Sequence, residues 1–210
     1  MSIETSAVLP SAIATDLRAS ILNQTDPPGA SITESAVALR FGVARPTARL
    51  AIDKLVADGL LRREAHRAAR VPVLSRDDIV DLFDNRALLE AAAVSALQSI
   101  PAAALVAHRA LGASDNFAEH DIAFHRSLVA GQSSSRLTRM HSQLMGEIEL
   151  CIGQVQAAQL LTPAQINHQH QKILDAIVLG DSVVAADLTR QHIVGSRDAL
   201  LEHLDRTPHG

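Results

Sequence analysis

The stretch Phe41-Gly42-Val43-Ala44-Arg45-Pro46-Thr47-Ala48-Arg49-Leu50-Ala51-Ile52-Asp53-Lys54-Leu55, continued by Asp58-Gly59-Leu60-Leu61-Arg62-Arg63, decides how this chain reads. A glycine-marked turn leads into a helix whose first turns carry Arg45 and Arg49. Residues four apart share one helix face. Leu50, Ile52, Leu55 and Val56 are expected to give the helix a buried side and leave the arginine face free. A helix anchored by one side, with an exposed basic N-terminal half, suits insertion into the DNA major groove.

The segments before it fit that reading. Ile13, Leu17, Ile21 and Leu22 place one apolar stripe on a helix over about residues 10–23, and Asp26-Pro27-Pro28-Gly29 breaks it. Thr33 with Glu34 and Ser35 opens a second short helix, with Val37, Ala38 and Leu39 expected inward, and Gly42 ends it. The third helix begins near Ala44; Pro46 is tolerated in its first turn, where a missing N–H costs no hydrogen bond. Gly59 stops it. Leu60 to Arg63 and Ala69 to Val73 read as two short strands around a basic turn.

Beyond Asp77 the pattern changes to long amphipathic helices. Ile79, Leu82, Phe83, Leu88, Leu89, Val94 and Leu97 carry a helical period. Further helices are expected near 101–111, 116–131, 135–159, 163–179 and 181–204, punctuated by Pro163 and Gly180-Asp181. The chain therefore reads as mainly α. An N-terminal winged helix-turn-helix domain covers residues 1–74, and an all-α helical bundle covers residues 77–210.

Charge divides the same way. Residues 1–76 hold ten Lys/Arg against seven Asp/Glu, whereas residues 77–210 hold nine against sixteen. Between Arg45 and Arg70, seven basic residues face three acidic ones, a patch that attracts phosphates. Tyr and Trp are absent and Phe occurs four times, which argues against base stacking on aromatic platforms and so against single-strand or RNA readers. Cys151 is the only cysteine, so no internal disulfide framework exists and a reducing cytoplasm is expected. No secretory signal or membrane-spanning apolar run is evident.

Nine of the ten histidines lie after residue 100. Asp121 and His125, four apart, point to one side of a helix, and His170 and His192 from two further helices could complete a cluster of three imidazoles and one carboxylate. Such donors suit Zn²⁺, Ni²⁺, Mn²⁺ or Fe²⁺ and leave coordination positions open. Spacing alone does not establish this, since a single His in an amphipathic helix is more usually a satisfied core or surface residue. His120 and His168 flank the cluster and read as bystanders, His168 with a possible supporting role. Cys151 reads as a packed small side chain.

Taken together these words resemble the GntR family of bacterial transcription factors, in its FadR-type branch with a C-terminal all-helical FCD domain. The resemblance runs from about residue 11 to 204. On the DNA side it rests on Pro28-Gly29, Phe41-Gly42-Val43-Ala44-Arg45, Arg49, Ala51, Leu55 and Asp58-Gly59-Leu60-Leu61. On the other half it rests on Asp84-Asn85-Arg86-Ala87-Leu88-Leu89-Glu90, Asp121-Ile122-Ala123-Phe124-His125-Arg126, His170 to Ile177, and His192. The chain departs from the family in having Ala44 where Ser is usual, Pro46 directly after Arg45, and Ala68 where the wing tends to carry glycine. The resemblance implies base or phosphate contacts from Arg45, Thr47 and Arg49, phosphate contact from Arg40, and wing contacts from His66 and Arg67. It implies that Asp121, His125, His170 and His192 match the family's metal ligands. Arg86 matches an arginine that often faces the cavity and pairs with a small acid; its other reading is a structural salt bridge with Glu90.

The expected function is that of a ligand-responsive regulator of transcription, a homodimer on palindromic operator DNA, acting as a repressor. A small carboxylate effector and a divalent metal would tune its affinity. A metal-dependent enzyme built on the same cluster, or a regulator for which the metal is the signal, are the alternatives.

Overall fold

The computed structural model of the chain describes residues 3–65, 67–113 and 117–206. Its elements run α1 (Ile3–Leu22), β1 (Ser31–Ile32), α2 (Glu34–Phe41), α3 (Arg45–Ala57), β2 (Ala69–Arg70), α4 (Arg76–Ser95), α5 (Ala102–Leu111), α6 (Phe117–Ala130), α7 (Ser135–Ala157), α8 (Pro163–Val178) and α9 (Ser182–Arg206). They divide into two compact units, Met1–Leu74 with Met145–Leu150, and Ser75–Leu144 with Cys151–Gly210. The protein is mainly α, a winged helix-turn-helix followed by an all-helical bundle.

In the first unit, Ile13, Leu17 and Ile21 of α1 lie in one core with Val37, Ala48, Ile52, Leu55 and Val71. Thr33 caps α2 by accepting a hydrogen bond from the Ala36 N–H at 3.1 Å. Gly42 ends α2 in the left-handed region (φ 63°), which only glycine enters without strain. That bend frees the chain to start α3 with Pro46 in its first turn. The buried side of α3 is Ala48, Ala51, Ile52 and Leu55.

Two leucines depart from the expected inward faces. Leu50 is 59% exposed and Leu39 is 86% exposed. Each lies two residues from a buried neighbour, Ile52 and Val37 respectively, and two helical residues are about 200° apart, so they cannot share a face. The expected hairpin is also altered. Residues 60–63 contribute only a bridge at Arg62, whose N–H and C=O pair with those of Arg70 at 2.9 Å each. Ala69–Arg70 instead forms a short antiparallel ladder with Ser31–Ile32. Leu60 and Leu61 are both buried, and two adjacent inward residues are incompatible with the alternation of a half-buried strand. His66, which the sequence suggests as a wing contact, lies outside the described residues.

The second unit opens with a reciprocal cap. Ser75 Oγ accepts from the Asp78 N–H at 3.1 Å, and Asp78 Oδ2 accepts from the Ser75 N–H at 2.9 Å. Helix α4 then buries Ile79, Leu82, Phe83, Arg86, Ala87, Glu90, Ala91 and Val94, an i, i+3, i+4 stripe. Leu88, expected in that stripe, is exposed. Helix α4 packs along α9, α5 against α6, and α8 against α9, with α4 also meeting α6. One face each of α4, α6, α8 and α9 therefore converges on a shared interior, floored by Phe124, Leu128, Ile173, Leu174 and Ile177. Among the described residues no helix is long and apolar enough to cross a membrane.

Candidate functional site

Polar side chains occupy core positions in that interior. Asp121 and His125 fall on the buried stripe of α6 beside Phe124 and Leu128, His170 lies between Ile166 and Ile173 on α8, and His192 follows Thr189 on α9. All four are buried. Their ligand atoms meet within 4.8 Å of one another. Asp121 Oδ1 lies 3.1 Å from His170 Nε2 and 3.6 Å from both His125 Nε2 and His192 Nε2.

Asp121 Oδ1, His125 Nε2 and His170 Nε2 are buried without hydrogen-bond partners. Stranding several polar atoms in one place is costly, of order 1–3 kcal/mol for each. Separations of 3.1–3.6 Å from a shared oxygen suit donors gathered around one ion with bonds of about 2.0–2.2 Å. One carboxylate and three imidazoles form a donor set for a borderline divalent transition metal. The residues present fit such an ion.

The rings are held from behind. His125 Nδ1 lies 2.5 Å from Glu90 Oε2, and His192 Nδ1 lies 2.7 Å from Gln169 Oε1. In its neutral form, a ring that donates through Nδ1 to an oxygen keeps its Nε2 lone pair for the centre of the cluster, the arrangement that fixes metal-ligating imidazoles. His170 stacks on Phe124, with ring centroids 3.9 Å apart. His168, which the sequence suggested as a supporting group, is exposed; its neighbour Gln169 carries the contact to His192.

Glu90 is the hub of a second layer. Its Oε1 accepts from Arg86 Nε at 2.7 Å and lies 2.9 Å from His141 Nε2 of α7. The i, i+4 spacing marks Glu90 as a partner of Arg86. No local signal marks its links to His125 and His141, which are 35 and 51 residues away in the chain.

Burial opposes the charge on Glu90, but Arg86 and then His125 outweigh it and hold the carboxyl pKa well below its usual range. Asp121 is also held low, with the surrounding histidines, His125 foremost, overcoming the effect of burial. Burial lowers the pKa of His170 to about 3 and also lowers that of His192, so both rings are neutral near pH 7. His125 moves the other way: burial disfavours its cation, yet the Glu90 carboxylate, with help from Asp121, raises its pKa. Two neutral rings and a carboxylate are donors in the form a metal takes.

Arg86 is wholly buried, and while its Nε is bound to Glu90, Nη1 and Nη2 have no hydrogen-bond partner. It lies within electrostatic range of His125 and His192. Both sequence readings of Arg86 thus have a structural counterpart: a salt bridge on one edge, and two free donors on the other.

On the first unit, Arg45 and Arg49 lie exposed on α3, with half-buried Thr47 between them. Arg49 Nε is 3.7 Å from Asp53 and 3.9 Å from Glu34, loose pairings at an exposed position. Arg40 is held by Asp26 at 3.1 Å, so part of its charge is neutralised within the fold. A recess of about 180 Å³ brings Arg45 and Arg67 together with Arg63, Thr33 and Ser35. Arg63 was not anticipated as part of this face, and it pairs with Asp53 at 2.5 Å.

Comparison with known proteins places both halves. Residues 9–71 match the family of bacterial regulatory proteins of the gntR type, and residues 81–195 match the FCD domain. The chain is 27% identical over 179 residues to a probable D-xylose utilization operon transcriptional repressor of Paenarthrobacter nicotinovorans, covering 80% of this chain and 77% of the relative. It is 26% identical over 186 residues to the HTH-type transcriptional repressor GlaR of Escherichia coli K12, covering 80% and 84%. Among solved structures, a GntR-type transcriptional regulator from Rhodococcus sp. RHA1 superposes with a TM-score of 0.75 at 25% identity, covering 92% of this chain and 97% of that one. McbR/YncC of Escherichia coli shares the fold at a TM-score of 0.71 and 17% identity, covering 93% and 98%. The chain belongs to the GntR family of bacterial transcriptional regulators, in the branch whose helix-turn-helix domain is joined to an FCD domain.

Proposed function

We propose that this regulator binds operator DNA as a homodimer, represses transcription, and is tuned by a small carboxylate at a metal centre in its helical domain. The observation that carries the sensing half is the set of buried, mutually facing ligand atoms of Asp121, His125, His170 and His192, with the two unpartnered guanidinium nitrogens of Arg86 in electrostatic range. When bound, Zn²⁺, Ni²⁺ or Mn²⁺ offers open positions to a carboxylate oxygen. Glu90 and Gln169 hold His125 and His192 in register, Phe124 fixes the plane of His170, and Arg86 Nη1 and Nη2 receive the anionic end of the effector.

On the DNA side, Arg45, Thr47 and Arg49 meet base edges or phosphates in the major groove, and Arg40, Arg67 and His66 meet the backbone or the adjacent minor groove. A bidentate arginine–guanine contact discriminates by about 1–3 kcal/mol, and each phosphate contact adds salt dependence. The two curated relatives are both named as repressors, which supports that sign of control. Two-fold protein symmetry matches a palindromic operator, and such a protein works where the DNA is, in the cytoplasm. An effector shifts operator affinity only by binding one arrangement of the protein more tightly than the other.

The test uses duplexes selected from a random library by the purified full-length protein. Metal-loaded protein should bind them, and one or more of a panel of short mono- and dicarboxylates should weaken that binding at least fivefold. Arg49→Ala should abolish binding with metal content unchanged. Affinity that follows metal removal but no carboxylate would replace this reading with one in which the metal is the signal. Binding that survives Arg49→Ala unchanged would remove the recognition-helix assignment.

A further inference from the structure

The outward face of α3 holds a side chain that neither the arginine reading nor the core explains. With Ala48, Ala51, Ile52 and Leu55 all at 0% exposure, the buried arc of the helix is fixed. At about 100° per residue, Pro46 and Leu50 point directly away from that arc, with Arg45 and Arg49 on its near flank. Leu50 is 59% exposed, in the second turn of the helix. Leaving a leucine in water forgoes roughly 1.5–3 kcal/mol relative to burying it, and its place on the exposed arc, with Arg49 to one side and exposed Lys54 to the other, points to a surface that becomes covered on binding.

We propose that Leu50 reads the 5-methyl group of a thymine in the operator and is a specificity-determining residue of this regulator. The inference rests on the assignment of α3 as the recognition helix. A leucine has no donor or acceptor, so among the base edges of the major groove the one group it can recognise is the thymine methyl. Arg45 and Arg49, on the neighbouring flank of the exposed arc, supply the charge that brings phosphates and guanine edges to the helix, and Pro46, one turn earlier, extends the apolar strip. Each half-site then contains a thymine beside the positions that the arginines contact.

The experiment takes a duplex selected from a random library by the full-length protein and replaces its thymines one at a time with deoxyuracil, which removes only the methyl group. Wild-type protein should lose about fourfold in affinity at one thymine in each half-site, the weight of one buried methyl. Leu50→Ala should bind the thymine and uracil duplexes alike, with unchanged thermal unfolding because the side chain is exposed. A wild-type protein indifferent to every replacement, or a Leu50→Ala variant that keeps the wild-type sensitivity, overturns the proposal while leaving the DNA-binding reading intact. Failure to select any duplex overturns the DNA-binding reading itself.

Discussion

At the residue scale, the helical domain depends on Glu90. This carboxylate simultaneously meets Arg86, His125 and His141, all buried. Glu90→Gln leaves the Arg86 guanidinium without its counter-charge, and breaking one partner of a buried pair costs about 3–5 kcal/mol. Urea unfolding of the metal-stripped protein should show a loss of that size; a loss below about 1 kcal/mol would mean that Arg86 finds another partner. The pH dependence has a definite sign. The folded-state pKa of Glu90 is depressed below 4.5, so its contribution is fully present above 4.5 and is lost as pH falls through the folded value. The stability gap between wild type and Glu90→Gln should therefore be widest near neutrality and narrow as the pH drops below 4.5.

At the scale of elements, the turn between α2 and α3 is set by the backbone of a single residue. Gly42 has φ 63°, and a Cβ there would meet nothing within 4 Å. Gly42→Ala therefore tests backbone strain without steric clash, and should cost about 1–2 kcal/mol in thermal or urea unfolding. Gly42→Asn should cost less, because asparagine enters the left-handed region more readily. An unchanged stability in Gly42→Ala would show that the turn relaxes without the left-handed residue.

The caps and breaks were legible because they are local: Thr33, Gly42, Pro46 and Pro163 each act within one turn. The inward faces were less so. Leu39, Leu50 and Leu88 are apolar but exposed, while Arg86 and Glu90 take core positions on α4, so apolar character at a near-helical spacing does not by itself mark the inward face. The β ladder was misread because Ser31–Ile32, the partner of Ala69–Arg70, lies far from it in sequence and carries no strand signal in two residues. In the candidate site, Asp121 and His125 share a face by spacing. The approach of His170, His192, His141 and Gln169 depends on how α6, α7, α8 and α9 pack, which no local pattern encodes.

At the scale of the whole molecule, DNA binding and metal binding should separate cleanly under mutation. Arg45, Arg49 and Leu50 belong to one compact unit, and the four clustered ligands belong to the other. Substitutions on α3 should change operator affinity with no change in bound metal. The measurement that tests the central claim most directly is elemental analysis of natively purified protein, wild type beside His125→Ala/His192→Ala, with circular dichroism to confirm that both are folded. The account predicts about one transition-metal ion per wild-type chain and its loss from the double variant. Absence of metal from the wild type even after incubation with Zn²⁺, Ni²⁺ or Mn²⁺, or equal metal in both proteins, would contradict it.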